Sequence, residues 1–258
     1  MSFYPQIGPG TVAQFPVART RKWRVITSVL ESGERIVLPD TSAGQIEWGL
    51  SYVDLSDAET ALVSGLFTAS QGGFAYFTFI DPLANLLGWS EDLSQAGWQA
   101  GLLTTASGIA DPLGTERAWS VANASTGTQQ LAQTLGVSGD YVACFSAYVR
   151  SNGAGSITLG RDGTQTVAAI GPQWARVYVS GTGTAGAAQS TFAISIEAGQ
   201  TVDVFGMQVE VQPYPSLYRV TGSALGIYQE TYFESDELRV SATDVGLSSF
   251  SIKLISRV

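Results

Sequence analysis

Histidine is absent from this chain, cysteine occurs once, and charged side chains make up only 14% of its 258 residues. Without an imidazole, no serine, cysteine or threonine nucleophile has a histidine base, and the usual zinc ligand sets are missing. The single thiol, Cys144, sits in the apolar run Tyr-Val-Ala-Cys-Phe-Ser. It has no partner for an intramolecular disulfide, and its apolar setting predicts a buried small hydrophobe, not a nucleophile. No apolar run approaches the roughly 18 residues that cross a bilayer, so membrane insertion is not expected. The opening Met-Ser-Phe-Tyr-Pro-Gln lacks the charged start and apolar stretch of a signal peptide. Synthesis in a cytoplasm is therefore expected, with any later presence outside the cell coming by assembly or lysis. Neither a phosphate-binding Gly-Lys-Ser/Thr loop nor a Gly-x-Ser-x-Gly elbow occurs.

Positive charge is scarce too. The net charge is −9, which repels a phosphate backbone. The one basic cluster, Arg19, Arg21, Lys22 and Arg24, reads as a solvated strand face or a charge-matched subunit contact, and no nucleic-acid partner is expected. What replaces charge is Ser, Thr, Gln and 29 glycines, mixed with β-branched and aromatic residues. That mix favours many short strands joined by tight turns. The expected fold class is mainly β, with one helix.

The order of these signals suggests two domains. Trp23–Leu30 and Arg35–Asp40 flank Glu-Ser-Gly-Glu as in a hairpin. Gln45–Leu55 alternates with period two, placing Ile46, Trp48, Leu50 and Tyr52 on one face. Ser56, followed three residues later by Glu59, forms a capping-box signature, and Leu62, Val63, Leu66 and Phe67 recur at helical spacing. A helix is predicted over about 56–70, followed by a strand over Phe74–Ile80. From Asn85 to Tyr218 charge thins and short strands recur: Asp140–Arg150, Ile157–Gly160, Thr164–Ala169, Trp174–Ser180, Ser190–Glu197 and Thr201–Val211. The Asp162-Gly163 pair marks a hairpin. This segment reads as a β-sandwich of jelly-roll type. Three further strands, Ala224–Phe233, Leu238–Ala242 and Ser249–Ile255, restore the opening texture. The reading is one discontinuous domain of residues 1–84 and 219–258, with a β-sandwich of residues 85–218 inserted into it.

Gly181-Thr-Gly-Thr-Ala-Gly186 matches the dinucleotide fingerprint letter for letter. It works only where a helix starts, and Ser190–Ile196 alternates like a strand, so a hairpin loop is expected. Glycoside hydrolysis needs only two suitably spaced carboxylates. The neighbouring pairs Glu91-Asp92 and Asp236-Glu237 would point to opposite faces of a strand or be solvated in a turn, so no catalytic residue is assigned. Binding is better served. Aromatic rings stack on the apolar faces of sugars, and residues 85–218 hold Trp89, Trp98, Trp119, Trp174, Tyr141, Tyr148, Tyr178, Tyr214 and Tyr218. Trp98, Trp174 and Tyr148 are expected in the core. Trp89 and Tyr214, beside polar or proline-rich turns, are the candidate carbohydrate contacts. Jelly-roll domains often hold a structural calcium on oxygen ligands. Glu91, Asp92, Asp203 and Glu210 are the candidate ligands, though no spacing among them is diagnostic.

Two segments resemble known families. Asn85-Leu-Leu-Gly-Trp89-Ser-Glu-Asp-Leu-Ser-Gln-Ala-Gly-Trp98 resembles the opening of carbohydrate-binding-module-like domains common in phage tail proteins, and Val204–Glu210 followed by Tyr218 and Thr221 resembles their end. The flanking pattern is Trp48-Gly-Leu-Ser-Tyr52, Leu55-Ser56, Glu59, Leu66-Phe67, Gly73 and Phe77-Thr-Phe-Ile-Asp-Pro82. It is similar to small phage tail and baseplate proteins, above all distal tail proteins. This resemblance implies a non-enzymatic virion component at the tail tip, made in the host bacterial cytoplasm. It implies a homo-oligomer, typically a hexameric ring, joined to the tail tube and the tip or hub. The inserted domain would then contact host surface glycans. Two other readings stand beside it: a free bacterial carbohydrate-binding module or adhesin, and a polysaccharide-degrading tail enzyme.

Overall fold

The computed structural model describes residues 2–223 and 225–257. In chain order the elements are β1 (Ala18–Val29), β2 (Arg35–Ser56), α1 (Asp57–Ala69) and β3 (Phe77–Ile80). Then come β4 (Thr104–Ile109), β5 (Ala118–Ala122), β6 (Gln129–Leu135), β7 (Ala143–Arg150), β8 (Gly155–Arg161), β9 (Thr164–Ile170), β10 (Ala175–Gly181), β11 (Ser190–Ile196) and β12 (Thr201–Glu210). The last are β13 (Ile227–Phe233), β14 (Ser241–Asp244) and β15 (Leu247–Arg257). The chain divides into two compact units. The first comprises residues 1–8, 12–79 and 228–258, and the second residues 9–11 and 80–227.

The first unit is built on a sheet of order β1-β2-β15-β13-β3, with β14 on β15. The period-two alternation of β2 works as read: Ile46, Trp48, Leu50 and Tyr52 are all buried. Trp48 packs on Phe79 at 4.9 Å and on Tyr228 at 4.7 Å. The Tyr52 hydroxyl meets that of Tyr4 at 2.7 Å and donates to the Val12 carbonyl. Each of these large side chains contributes about 1.5–3 kcal/mol through burial. Helix α1 begins where the capping box requires. The Ser56 side chain accepts from the Glu59 N–H, and the Glu59 carboxylate accepts from the Ser56 N–H. Val63 and Leu66 face the sheet, and Phe67 meets Phe233 at 5.1 Å.

Some boundaries differ from the sequence reading. The strand expected from Phe74 starts at Phe77, because Gln71 and Gly72 both take positive φ and turn the chain, leaving Phe74 exposed. Leu238–Val240 is not strand; β14 begins only at Ser241, after the turn in which Glu237 N–H bonds to the Ser235 hydroxyl. Of the strand expected over 224–233, Ala224 lies outside the described residues and β13 starts at Ile227.

β2 pairs with β15 only from Gln45 onward, so among the described residues β1 is the only strand paired with residues 35–40. The result is a two-stranded ribbon, and every residue of β1 is exposed. Trp23, Val25, Ile26, Val29, Leu30, Ile36, Val37 and Leu38 are exposed apolar side chains on it.

The second unit has two antiparallel sheets, β10-β7-β12-β5-β4 and β6-β11-β8-β9, with side chains of both meeting in a common core. From β7, Phe145, Ala147 and Val149 fill that core, and Phe145 meets Phe192 of β11 at 6.1 Å. This is a β-sandwich, as expected. Asp162 and Gly163, both at positive φ, form the β8–β9 turn. Gly181–Gly186 starts on the last residue of β10 and runs into the loop before β11. Strands β4, β5 and β6 had no clear sequence signal: they are short, rich in Ser, Thr and Gln, and β4 is bulged at Gly108.

One core residue is a surprise. Arg161 is 1% exposed, sharing the inward face of β8 with Ile157 and Leu159. Its guanidinium lies 5.4 Å from the Phe192 ring centre and donates to the carbonyls of Ser138, Tyr141 and Gly181 and to the Ser190 hydroxyl. Burial pushes its pKa down to about 10, so it remains charged at neutral pH, a cationic staple joining the β6–β7 loop to the end of β10 and the start of β11.

Candidate functional site

The outer face of the five-stranded sheet concentrates polar and aromatic side chains. Because Phe145, Ala147 and Val149 point inward, their β7 neighbours Cys144, Ser146, Tyr148 and Arg150 must point outward. Cross-strand register then sets four rows. Arg150 stands opposite Asp203; Tyr148 between Arg176 and Phe205; Ser146 between Tyr178 and Gln208; Cys144 between Ser180 and Glu210. A register shift between Phe205 and Gln208, with Gly206 at φ +59°, bends β12 at this point. A side chain at Gly206 would press on the rings of Tyr148 and Tyr218.

Arginines cover the aromatics. The Arg150 guanidinium lies 4.7 Å from the Trp174 ring centre and pairs with Asp203 at 2.9 Å. The Arg176 guanidinium lies 5.4 Å from the Tyr148 ring centre, and that of Arg117 5.4 Å from Phe205. Trp174 and Tyr148 were expected in the core and are instead half-buried on this outer face. The strand alternation that sends Phe145 and Val149 inward sends Tyr148 out, and the guanidinium layer shields both rings. Trp98 is buried, its Nε1 donating to the Trp89 carbonyl at 3.1 Å.

Half of the face is covered by the chain itself. Beyond β12, residues 212–221 lie back across it. The Ser216 N–H donates to the Glu210 carboxylate, the Ser216 carbonyl accepts from Arg176 Nη1, and Arg219 N–H donates to the Gln208 side chain. The Tyr218 ring packs edge-on against Phe205 at 5.4 Å, and its hydroxyl meets that of Ser90. Under this strap Gln208, Glu210, Ser146 and Cys144 are buried. Burial pushes the Cys144 thiol up to about 12, with the nearby Glu210 charge adding to it, so this thiol does not ionise at neutral pH.

The other half stays open. Tyr178 is 41% exposed and Tyr214 67%, their rings 6.5 Å apart and steeply inclined. Beside them Thr166, Ala168, Arg176, Val177, Tyr178 and Ser180 line a cavity of about 480 Å³ along the gap between the edge strands β9 and β10.

The residues expected from sequence are distributed as follows. Tyr214 is at this open margin. Trp89 is 38% exposed but belongs to another region, with φ at +50° and its N–H bonded to the Gly222 carbonyl. No ring contact joins it to Tyr214 among the described residues. The four carboxylates are each engaged separately. Glu91 pairs with Arg117, Asp203 with Arg150, and Glu210 with Ser216 and Gln212. Asp92 accepts from Ser94 and Gln95, which lowers its pKa. Among the described residues no three acidic, cysteine or histidine side chains are grouped to hold a metal ion. Sequence reasoning missed Tyr178 and Arg176 as site residues. Their signal was present in the alternation of Val177 and Val179 with Arg176 and Tyr178.

Part of the chain has counterparts among solved structures. The C-terminal family 22 carbohydrate binding module of Clostridium thermocellum Xyn10B matches with a TM-score of 0.42 at 17% identity, over 53% of this chain and 99% of that one. The CBM22-1 xylan-binding domain from Paenibacillus barcinonensis Xyn10C matches with a TM-score of 0.40 at 14% identity, over 51% and 97%. The enzymatically active domain of bacteriophage CBA120 tailspike protein 4 matches at 0.37 and 10%, over 52% and 22%. These are likenesses of fold. No protein-family model matches the chain, and no curated protein matches it.

Proposed function

We propose that the second unit is a non-catalytic glycan-binding module whose contact surface is the open margin of the five-stranded sheet. The observation that carries this reading is the exposed Tyr178–Tyr214 pair beside a cavity lined by hydroxyls. Paired rings offer stacking faces to pyranose C–H groups, and Thr166, Ser180 and the tyrosine hydroxyls supply hydrogen bonds. A concave, partly apolar site with a few convergent polar groups is the usual form of a small-ligand site. The test is a glycan array probed with the full chain and with Tyr178→Ala and Tyr214→Ala. Binding that both substitutions abolish supports the reading; binding indifferent to both removes it. A reducing-sugar assay on the bound glycans separates a binding module from a polysaccharide-degrading enzyme.

A second observation favours a structural role for the first unit, as a self-assembling subunit of a phage tail tip. An isolated two-stranded ribbon is marginally stable in water, yet this one exposes eight large apolar side chains. Copies of the chain, or neighbouring tail tube and hub proteins, would cover it, as in a distal tail ring. The two roles are compatible because they use different units. Light scattering on the full chain and on a Trp23→Asp, Ile26→Asp variant tests assembly. An oligomer lost on substitution supports it, and a monomer in both leaves the free binding module as the better reading.

A further inference from the structure

We infer that the margin of the five-stranded sheet takes a carboxylated sugar, a uronic-acid unit, in preference to a neutral one. This rests on the glycan-binding reading above and specifies its ligand. Among the described residues Arg176 is the only charged one lining the cavity, beside Thr166, Ala168, Val177, Tyr178 and Ser180. Its guanidinium is half-buried and forms no ion pair among the described residues. Glu210 and Asp203, the carboxylates of the same face, are taken up by Ser216 and Gln212 and by Arg150. Of its five N–H donors, Arg176 uses one on the Ser216 carbonyl and one on the Ser146 hydroxyl. Its Nε–H is buried with no acceptor among the described residues, and two residues earlier Trp174 Nε1–H is in the same condition.

A partly desolvated cation without a directly paired carboxylate is costly, and an anion entering the cavity beside it regains part of that cost. A neutral hydroxyl cannot. The Tyr178 ring next to Arg176 offers a stacking face, and Thr166 and Ser180 offer hydroxyl partners. An aromatic face, hydroxyls and one guanidinium without a direct ion pair match the three parts of a uronate: its C–H face, its hydroxyls and its carboxylate. The guanidinium fork suits a carboxylate in particular, since it can present parallel N–H donors to both oxygens.

The test titrates the full chain with trigalacturonate and with the trisaccharide obtained by reducing its carboxyl groups to give galactose units. Trigalacturonate is expected to bind about tenfold or more tightly than the neutral trisaccharide, the scale of one hydrogen bond to a charged group. That advantage should shrink as sodium chloride is raised. In Arg176→Gln the advantage of the charged over the neutral trisaccharide should vanish; Arg176→Lys, which keeps the charge, should recover part of it. Melting curves identify any variant that has lost its fold, and the salt series on the unaltered chain needs no variant. Equal affinity for the two trisaccharides, or an advantage unaffected by both salt and Arg176→Gln, overturns the inference and leaves the glycan-binding reading standing. Binding of neither trisaccharide overturns it too, and a blank glycan array alongside would remove the broader reading with it.

Discussion

Replacing Arg161 with methionine should destabilise the second unit by about 3–5 kcal/mol. Two effects oppose each other. Removing a buried guanidinium relieves its desolvation, and an apolar replacement of similar length can pack beside Phe192. Against this, the carbonyls of Ser138, Tyr141 and Gly181 and the Ser190 hydroxyl lose their donor in a region closed to water. Each orphaned buried polar group costs about 1–3 kcal/mol. Three carbonyls, two from the β6–β7 loop and one from the end of β10, cannot all be satisfied by relaxation, so the loss should exceed the relief. Urea denaturation followed by tryptophan fluorescence reads this well, because Trp89, Trp98, Trp119 and Trp174 all belong to the second unit. With a slope of about 2 kcal/mol per molar urea, the midpoint should fall by about 2 M. A shift below about 0.5 M would show that desolvation balances the hydrogen bonds, and the staple account of Arg161 would be wrong.

Further outcomes follow from individual contacts. Ser56→Ala should cost about 1 kcal/mol through loss of the cap. Hydrogen bonds from Ser56 hold the Glu59 carboxyl below its usual pKa. The stability it contributes is therefore present above the ordinary glutamate range and lost as pH falls through its lowered folded value. Acid titration of Glu59→Gln beside the unaltered chain should show the smaller loss in the variant. Cys144 should resist a thiol reagent in the folded chain and react on unfolding; rapid labelling without unfolding would contradict its burial under the strap. Calcium and a chelator should leave the melting temperature alike, since Glu91, Asp92, Asp203 and Glu210 already have separate partners, whereas a clear rise with calcium would restore them as ligands.

Much of the local structure was legible. The Ser56–Glu59 pair, the alternation from Ile46 to Tyr52 and the Asp162-Gly163 turn each involve a few neighbours in sequence, so local chemistry decides them. The site was less legible because it depends on which face of each strand is core. Tyr148 and Trp174 are large aromatics, and composition alone sends such residues inward. Only the alternation with Phe145, Ala147 and Val149 shows that Tyr148 faces out. The same parity, applied to Ile157 and Leu159, points Arg161 inward against every expectation for a charged residue. The strap over residues 212–221 had no local signal, because its partners, Arg176, Gln208 and Ser90, are brought to it by the fold.

The central claim is that the Tyr178–Tyr214 margin binds glycan, and the glycan array with the full chain and its two tyrosine variants tests it most directly. The account predicts defined glycan signals that disappear in Tyr178→Ala and Tyr214→Ala while melting curves stay unchanged. Signals that survive both substitutions, or a blank array for the unaltered chain, would contradict it.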